Sequence, residues 1–530
     1  MIFTSLKFIL FFVVCAAVYF VFPKKARWIW LLACSLFFYA SAGPAHVAYI
    51  LSAAAVVYLS GLILGRIDSG LRRKLAGCDG DKNRKKELKA SSKRKSIVVI
   101  AAALLVMLGA LWTIKYLNFS IRILSSILAR FGVPFSAMEY RFLLPLGISF
   151  YIFTGIGYLI DVYRGSCDVQ KNPLRLLLFL SFFPCVSQGP ISRYSDLAPQ
   201  LYEGHRFDYD RMTKGVQRML WGFCEKMVLA DRVGILVSGV YDSANAQSGA
   251  AYVLATLLYA VQIYADFAGY MDIACGAAYV LGIDIPENFD SPYLSRSIPE
   301  YWRRWHITLG AWFRDYLYYP VMRCPLFSSV RRKTKNSRFK KGADRIMTAV
   351  ALLVVWTTTG LWHGASSTYV LWGLYHGLLI TASTLLEPLT DGAVKKLGLD
   401  RERFSFKLFR TVRTFFLVCV GYVFFRSSSV SQIGTVFRSV FSRAGFYSLF
   451  DLRVTELGLD GKDLNVAIIA IALLVIVDIM RNRGVVIRDK ISEQGIWLRW
   501  FIWLLGVTAV VIFGVYGPDY NAASFIYFAF

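Results

Sequence analysis

The sequence lacks the short motifs that mark several common enzyme classes. It contains no GxSxG elbow, HExxH pair, P-loop or GxGxxG turn, which argues against a conventional serine hydrolase, a zinc protease and a nucleotide-driven motor. Its nine cysteines are scattered and form no CxxC pair or other metal-binding spacing. We therefore expect neither a redox pair nor a bound metal.

Acidic residues are also scarce, with 34 Asp and Glu against 60 Lys and Arg and a formal net charge of +26. In a soluble protein this excess would suggest nucleic acid as a partner. Here the positive charge is concentrated between apolar segments, with twelve Lys and Arg in residues 66–95 and nine in residues 323–345. The positive-inside rule predicts that both basic segments are cytoplasmic and lie near anionic lipid. We expect no nucleic-acid partner.

Long apolar stretches make up most of the chain. Its 530 residues are 56% hydrophobic and 16% aromatic, with a mean hydropathy of +0.49. An apolar run of about 20 residues can span a bilayer as a helix. The first run, to Phe22, is longer than a typical signal-peptide core, so we expect a span there. The predicted apolar segments are 2–22, 28–43, 45–65, 97–117, 142–162, 212–240, 250–282, 346–363, 367–387, 408–426, 464–480 and 498–517.

This pattern predicts an all-α, polytopic membrane protein. We expect roughly 11–13 transmembrane helices, with re-entrant and interfacial helices, around a central cavity. The segment 174–194 is interrupted by Pro184, Gly189 and Pro190, which favours a kinked or re-entrant element. No separate soluble domain is indicated, so we expect one membrane domain over residues 1–530. Its predicted parts are N-terminal helices (1–139), a central core (140–390) and C-terminal helices (391–530).

The segment 299–320, PEYWRRWHITLGAWFRDYLYYP, is densely aromatic and carries a histidine. Read as one continuous helix, it places apolar and aromatic residues together with His306 on one face. Such a helix would lie along a membrane boundary and hold His306 inward. The residues of that predicted face are Trp302, Trp305, His306, Leu309, Phe313 and Tyr316.

A second histidine, His363, ends the apolar run that starts near Ile346. Ionisable groups at membrane depth are costly, so a functional role is the default hypothesis. Histidine suits a general base because its ordinary pKa is near 6.5. Gly364 indicates that the helix ends there, and the helix C-terminus would stabilise a positive imidazolium. His376, thirteen residues further on, is predicted to face the opposite side of the same helix and to be structural.

These motifs carry a family resemblance. The stretches QIYADFAGYMDIACG (262–276) and NFDSPYLSRSIPEYWRRWHITLGAWFRDYLYYP (288–320) resemble the core of the membrane-bound O-acyltransferase family, and LWHGA (361–365) resembles its second histidine motif. Three further stretches resemble the bacterial branch that O-acetylates exported polysaccharides such as alginate and peptidoglycan. They are PLGISFYIFTGIGYLIDVYRG (145–165), FFPCVSQGPISRY (182–194) and the C-terminal FIYFAF (525–530).

The resemblance implies an acyltransferase that moves an acyl group, most simply acetyl, from a cytoplasmic thioester to a polysaccharide hydroxyl. It implies no bound cofactor, with acetyl-CoA or an acyl-carrier protein as the donor substrate. It also implies a location in the bacterial cytoplasmic membrane and an extracytoplasmic partner with an SGNH-hydrolase-like domain. The basic segment 321–345 departs from the family pattern, which continues there into a short glycine-rich turn.

The resemblance also assigns roles to individual residues. His363 is the expected catalytic base, and His306 is expected to orient the donor, stabilise charge or tune His363. Asp266, a carboxylate in an apolar helix, is expected to pair with Arg303, Arg304 or a catalytic histidine. The residues expected to bind the donor or line the acyl channel are Trp302, Arg303, Trp305, Asp266 and Asn288. We also expect one continuous polar passage, walled by Trp302, Trp305 and Trp312, to join both histidines and to open to both faces of the membrane.

Two alternatives remain open at this stage. A related chemistry is D-alanyl transfer to teichoic acid, with a small acyl-carrier protein docking on the cytoplasmic side. From a different class, the chain could be a transporter or flippase whose broken helices line a path.

Overall fold

The computed structural model describes residues 1–78, 81–133, 135, 138–244, 247–448 and 454–516. Over those ranges the chain is helical and contains no β-strand, only one isolated antiparallel bridge between Phe289 and Trp305. The predicted all-α class is confirmed. The C-terminal FIYFAF motif lies outside the described residues.

The chain divides into two compact units. The first comprises Met1–Gly215 with Ala277–Pro286, and the second comprises Val216–Gly276 with Glu287–Phe530. The helices of the first unit are α1 (Leu6–Val21), α2 (Arg27–Ala40), α3 (Pro44–Ala76), α4 (Lys82–Lys115), α5 (Leu117–Arg130), α6 (Ile148–Arg164), α7 (Pro173–Ser181), α8 (Phe183–Val186) and α9 (Tyr194–Tyr202).

The second unit holds both histidines of the sequence motifs. Helix α10 (Tyr209–Phe223) leads into it, a π-helix follows at Cys224–Ala230, and α12 (Gly249–Val280) leads out of it. Its other helices are α11 (Asp231–Tyr241), α13 (Ile298–Arg304), α14 (Ile307–Phe313), α15 (Tyr319–Met322), α16 (Pro325–Thr334), α17 (Lys340–His363), α18 (Ser367–Lys396), α19 (Phe404–Arg426), α20 (Val430–Phe441), α21 (Arg443–Tyr447), α22 (Gly461–Asn482), α23 (Ile487–Ser492) and α24 (Ile496–Phe513).

Eight helices in the described part of the chain are long and apolar enough to cross a membrane: α3, α4, α12, α17, α18, α19, α22 and α24. The polytopic architecture is confirmed, but the number is lower than the predicted 11–13. The apolar runs at 2–22, 28–43 and 142–162 form helices of only 16, 14 and 17 residues. An apolar run shows which residues are suited to burial, but it does not show where a helix begins and ends.

The two basic segments contain more helix than a loop prediction implies. Helix α3 runs on to Ala76, and α4 begins at Lys82, where the Asp81 carboxylate accepts hydrogen bonds from the N–H groups of Asn83 and Arg84 at 3.0 Å each. Helix α16 occupies most of the first half of the second basic segment, and α17 begins within the segment at Lys340. Lys, Arg and Glu are good helix formers, so charged residues prolong these helices instead of ending them.

The interruption predicted within 174–194 is present. Helix α7 ends at Ser181, the short α8 follows, and the chain is non-helical until Tyr194. A Cβ at Gly189 would lie 2.1 Å from the Pro184 carbonyl oxygen, so only glycine permits this tight turn.

Candidate active site

The helix predicted over 299–320 is wrong in one decisive place. Helix α13 ends at Arg304, Trp305 is extended, and His306 adopts a left-handed conformation with φ 46° and ψ 52°. Helix α14 then begins at Ile307 and passes into a π-helical turn at Arg314–Tyr318. Left-handed backbone is unusual for a residue other than glycine, and such residues concentrate at functional sites.

The neighbouring segment 288–290 holds this break in place. The Asp290 N–H donates to the Arg304 carbonyl at 3.0 Å, and the Ile307 N–H donates to the Asn288 carbonyl at 3.1 Å. The Asn288 side-chain oxygen also accepts from the Thr308 N–H at 3.1 Å and the Thr308 hydroxyl at 2.7 Å. Asn288 therefore caps α14 from a separate stretch of chain, at the place where α13 and α14 meet.

His306 is buried among aromatic side chains, with 3% of its surface exposed. Its ring centroid lies 4.8 Å from that of Phe267 and 5.8 Å from that of Trp362. His306 lies outside the eight candidate spans, and burial lowers its pKa to about 3. Its imidazole is therefore neutral near pH 7, with one ring nitrogen able to donate a hydrogen bond and the other able to accept one.

His363 is the last residue of α17 and is also 3% exposed. Aromatic rings pack against it, among them those of Trp362 and Trp372 at 4.8 Å and that of Phe425 at 5.1 Å. Because the chain leaves the helix at Gly364, the imidazole lies at the C-terminal end of α17, as the sequence predicted.

The position of His363 depends on the tight packing of α17 against α18. A Cβ at Gly360 would lie 2.4 Å from the Tyr369 carbonyl oxygen, and one at Gly373 would lie 2.4 Å from the Trp356 carbonyl oxygen. These glycines allow the two helix backbones to approach closely beside the turn that follows His363.

A cavity of about 340 Å³ brings the two histidines together. Trp302, Arg303 and Trp305 line it as well, so five of the seven predicted site residues share one cavity. Its walls are mostly apolar and aromatic, whereas a polar passage was predicted. The remaining lining residues are Pro299, Ile307, Leu309, Gly310, Ala311, Phe313, Arg314, Tyr318, Leu352, Val355, Trp356, Thr359 and Ile380.

Asp266 and Asn288, the other two predicted site residues, do not line this cavity. Asp266 does not pair with Arg303 or Arg304 as expected. Its carboxylate lies 2.7 Å from the Lys226 ammonium, which also lies 2.6 Å from the Asp231 carboxylate. The three groups are buried together, with 2–7% of each side chain exposed. A buried carboxylate requires a cation, but the sequence does not show which one is near.

Several cavity residues were missed although the sequence held a signal for them. Leu352, Trp356 and Thr359 precede His363 by eleven, seven and four residues and line the cavity with it. Helical periodicity places these positions on one face of α17. Trp312, by contrast, was predicted to wall the passage and does not line it.

The helical argument applied to His376 is wrong, because α17 ends at His363 and a new helix begins at Ser367. His376 is 1% exposed, and its Nδ1 accepts a hydrogen bond of 3.4 Å from the indole N–H of Trp302. His376 therefore holds a tryptophan that lines the cavity.

Comparison with known proteins agrees with the family resemblance. The MBOAT, membrane-bound O-acyltransferase family, matches residues 168–420, a range that contains both histidines. A probable alginate O-acetylase of Pseudomonas putida is 35% identical over 71% of this chain and 71% of its own length. The corresponding protein of Pseudomonas syringae pv. tomato is 34% identical over 70% of this chain and 65% of its own.

A teichoic acid D-alanyltransferase of Bacillus subtilis is also similar, at 29% identity over 53% of this chain and 68% of its own length. Its match is weaker than those of the two alginate O-acetylases. The chain spans about two thirds of the length of those two relatives.

Proposed function

Because the chain belongs to the membrane-bound O-acyltransferase family, we propose that it transfers an acyl group from a thioester to a hydroxyl of an exported or cell-envelope polysaccharide. The observation that carries this proposal is the cavity lined by both His306 and His363. Its volume of about 340 Å³ falls within the range of small-molecule sites. The similarity to alginate O-acetylases favours acetyl as the acyl group and a polysaccharide as the acceptor.

We assign the role of general base to His363. The acceptor hydroxyl oxygen forms a bond to the thioester carbonyl carbon while the hydroxyl proton passes to the imidazole. The carbon–sulfur bond then breaks, and the proton passes from the imidazolium to the departing thiolate, giving an ester and a free thiol. The C-terminal end of α17 stabilises the imidazolium between the two proton transfers. A positioned base of this kind contributes about 10²–10⁴ in rate.

His306 is assigned a supporting role at the thioester carbonyl. Burial keeps its imidazole neutral, so it can donate a hydrogen bond to an oxygen that gains negative charge during attack. The left-handed backbone at His306 fixes the direction from which the imidazole enters the cavity. Trp302, Arg303 and Trp305 line the same cavity and are assigned to hold the donor.

The donor side is proposed to be cytoplasmic and the acceptor side extracytoplasmic. Helix α17 starts within a basic segment and carries His363 at its far end, so the base lies towards the outer half of the membrane. Only the acyl group then needs to cross the membrane. A thioester such as acetyl-CoA or an acyl-carrier protein supplies it, and an extracytoplasmic SGNH-type partner is the proposed means of delivery to the polymer.

The proposal is tested with purified protein in lipid nanodiscs, labelled acetyl-CoA and a soluble hydroxyl acceptor. We expect His363→Ala to lower acyl transfer by about 100-fold or more, since it removes the base. His306→Ala should lose less activity, or lose it through weaker donor binding. The control is His46→Ala, because His46 lies outside the cavity.

Substantial activity in His363→Ala would end its assignment as base. D-alanyl transfer is tested in the same assay with a D-alanyl-carrier protein in place of acetyl-CoA. Preferential use of that donor would replace the acetyl assignment and leave the roles of the histidines unchanged.

A further inference from the structure

A second cavity, of about 410 Å³, lies in the same unit and contains none of the residues assigned to acyl transfer. Three arginines line it, Arg218, Arg481 and Arg488. Most of its remaining wall is apolar, including Trp221 and Trp503. A cavity that combines guanidinium groups with an extended apolar wall suits a ligand with an anionic head and a hydrocarbon tail.

A buried carboxylate orients two of these arginines. Asp272, 4% exposed, accepts hydrogen bonds from Arg218 Nε at 2.9 Å and Nη2 at 2.7 Å, and from Arg481 Nη2 at 3.3 Å. Arg218 Nη1 also donates to Glu287 at 2.6 Å. In the part of the chain that the structure describes, Arg488 donates no hydrogen bond to another residue, although it lines the same cavity. Its guanidinium can therefore offer its N–H groups to a phosphate without breaking a contact within the protein.

The depth of the arginines in the membrane indicates where the anion comes from. Arg481 lies at the end of α22, directly after its long apolar run, and Arg488 lies in α23, just beyond it. Residues at the end of an apolar span lie at the level of lipid headgroups. The connection between α22 and α24 carries Arg483, Arg488 and Lys490, and Arg481 lies just before it. Because the positive-inside rule counts Lys and Arg near the end of a span, this end is expected on the cytoplasmic side.

The apolar wall of the cavity includes a helix whose outer side is exposed. Helix α24 contributes Ile502, Trp503 and Gly506 to it, and no residue of α24 is buried. Hydrocarbon chains of the bilayer therefore reach the helix that forms one side of the cavity. A soluble phosphate ester would leave this apolar wall uncovered.

We propose that this cavity binds an anionic phospholipid of the cytoplasmic leaflet. Arg481 and Arg488 hold the phosphate, and an acyl chain lies along Ile502 and Trp503. Basic pockets between transmembrane helices on the cytoplasmic side favour such headgroups.

The bound lipid would also contact the segment that holds His306. Phe289 and Asp290 line the cavity, and they directly follow Asn288, which fixes the start of α14. Packing against these two residues would restrict the motion of the 288–290 segment. This link to activity rests on the proposed function, whereas the lipid site itself does not.

Native mass spectrometry of the purified chain, titrated with phosphatidylglycerol or phosphatidylcholine, tests the site. We expect phosphatidylglycerol to bind the wild type more tightly, and Arg488→Gln to weaken that binding about tenfold. The matched control is Arg483→Gln, because Arg483 lies on the same connection but does not line the cavity, and it should bind like the wild type. Val486→Trp fills the cavity without changing charge and should also lose the lipid.

Equal binding of the two lipids to the wild type, or equal loss in Arg483→Gln and Arg488→Gln, would overturn the proposal. Displacement of bound lipid by coenzyme A would overturn the lipid assignment and transfer the site to a soluble phosphate donor. Each variant is first checked for a single monodisperse peak in size-exclusion chromatography. A wild type that binds phosphatidylglycerol but transfers no acyl group would refute the proposed function alone.

Discussion

At the scale of single residues, Asn288 shows how one buried amide can fix the position of a functional histidine. Its carbonyl and side chain together accept three hydrogen bonds from Ile307 and Thr308, which directly follow His306. Asn288 is 1% exposed, so shortening its side chain removes the two bonds with Thr308 from a buried site. The catalytic importance of such a residue comes from the conformation it imposes on its neighbour.

We expect Asn288→Ala to lower acyl transfer about tenfold and to reduce the free energy of unfolding by about 1–3 kcal/mol, because it removes a buried helix cap. Thr308→Val removes only the hydroxyl donor and keeps the N–H bond, so its effect should be smaller in both measurements. Initial rates and thermal unfolding of the two purified variants check this ranking. If both variants were as active and stable as the wild type, the cap would not hold the histidine.

For single residues, the sequence predicted the two histidines well but predicted their local backbone and some of their neighbours poorly. The motif resemblance identified His306 and His363, and one cavity brings them together. The break at His306 could not be predicted, because the apolar residues on either side keep helical spacing across it. The partner of Asp266 was missed for a different reason. Lys226 is 40 residues away in the sequence, and no local pattern connects the two.

At the scale of helices, the pair α17 and α18 determines where the proposed base lies. Their closest approach is at Gly360 and Gly373, three residues before and ten residues after His363. A side chain at either glycine would meet backbone, which cannot move aside as a flexible side chain can. Helix spans could be located from hydropathy, but this close contact depends on three-dimensional packing.

We expect Gly373→Ala to lower acyl transfer at least tenfold, because its Cβ would lie 2.4 Å from the Trp356 carbonyl oxygen and force the helices apart. The matched control is Gly342→Ala, on α17 itself, where nothing lies within 4 Å of the added Cβ. Gly342→Ala should keep wild-type activity and expression. A Gly373→Ala variant that matched this control in rate would show that helix separation does not govern the position of His363.

At the scale of the whole molecule, the direction of acyl flow depends on which side each basic segment occupies. Helix α17 begins in the second basic segment, and the spans α18, α19 and α22 follow it in the chain. With the second basic segment in the cytoplasm, as the sequence predicts, alternation would place the end of α17 outside, the connection after α18 inside, the connection after α19 outside and the end of α22 inside. This orientation puts the arginine-rich end of α22 in the cytoplasm, as the positive-inside rule predicts. The orientation was chosen from the start of α17 and not from these arginines.

This topology predicts the accessibility of single introduced cysteines in a background whose native cysteines are replaced by serine or alanine. Cysteines at Lys86 and Lys335 should resist a membrane-impermeant thiol reagent in intact cells and react after permeabilisation, because both positions lie in basic segments. A cysteine at Ser428, exposed just after α19, should react in intact cells. Labelling in intact cells of the cysteine introduced at Lys335, together with protection of the one introduced at Ser428, would mean that α17 crosses the membrane in the opposite direction. It would place His363 near the cytoplasm, so the hydroxyl acceptor would also have to be cytoplasmic, and the transfer of an acyl group to an exported polymer would need a different route.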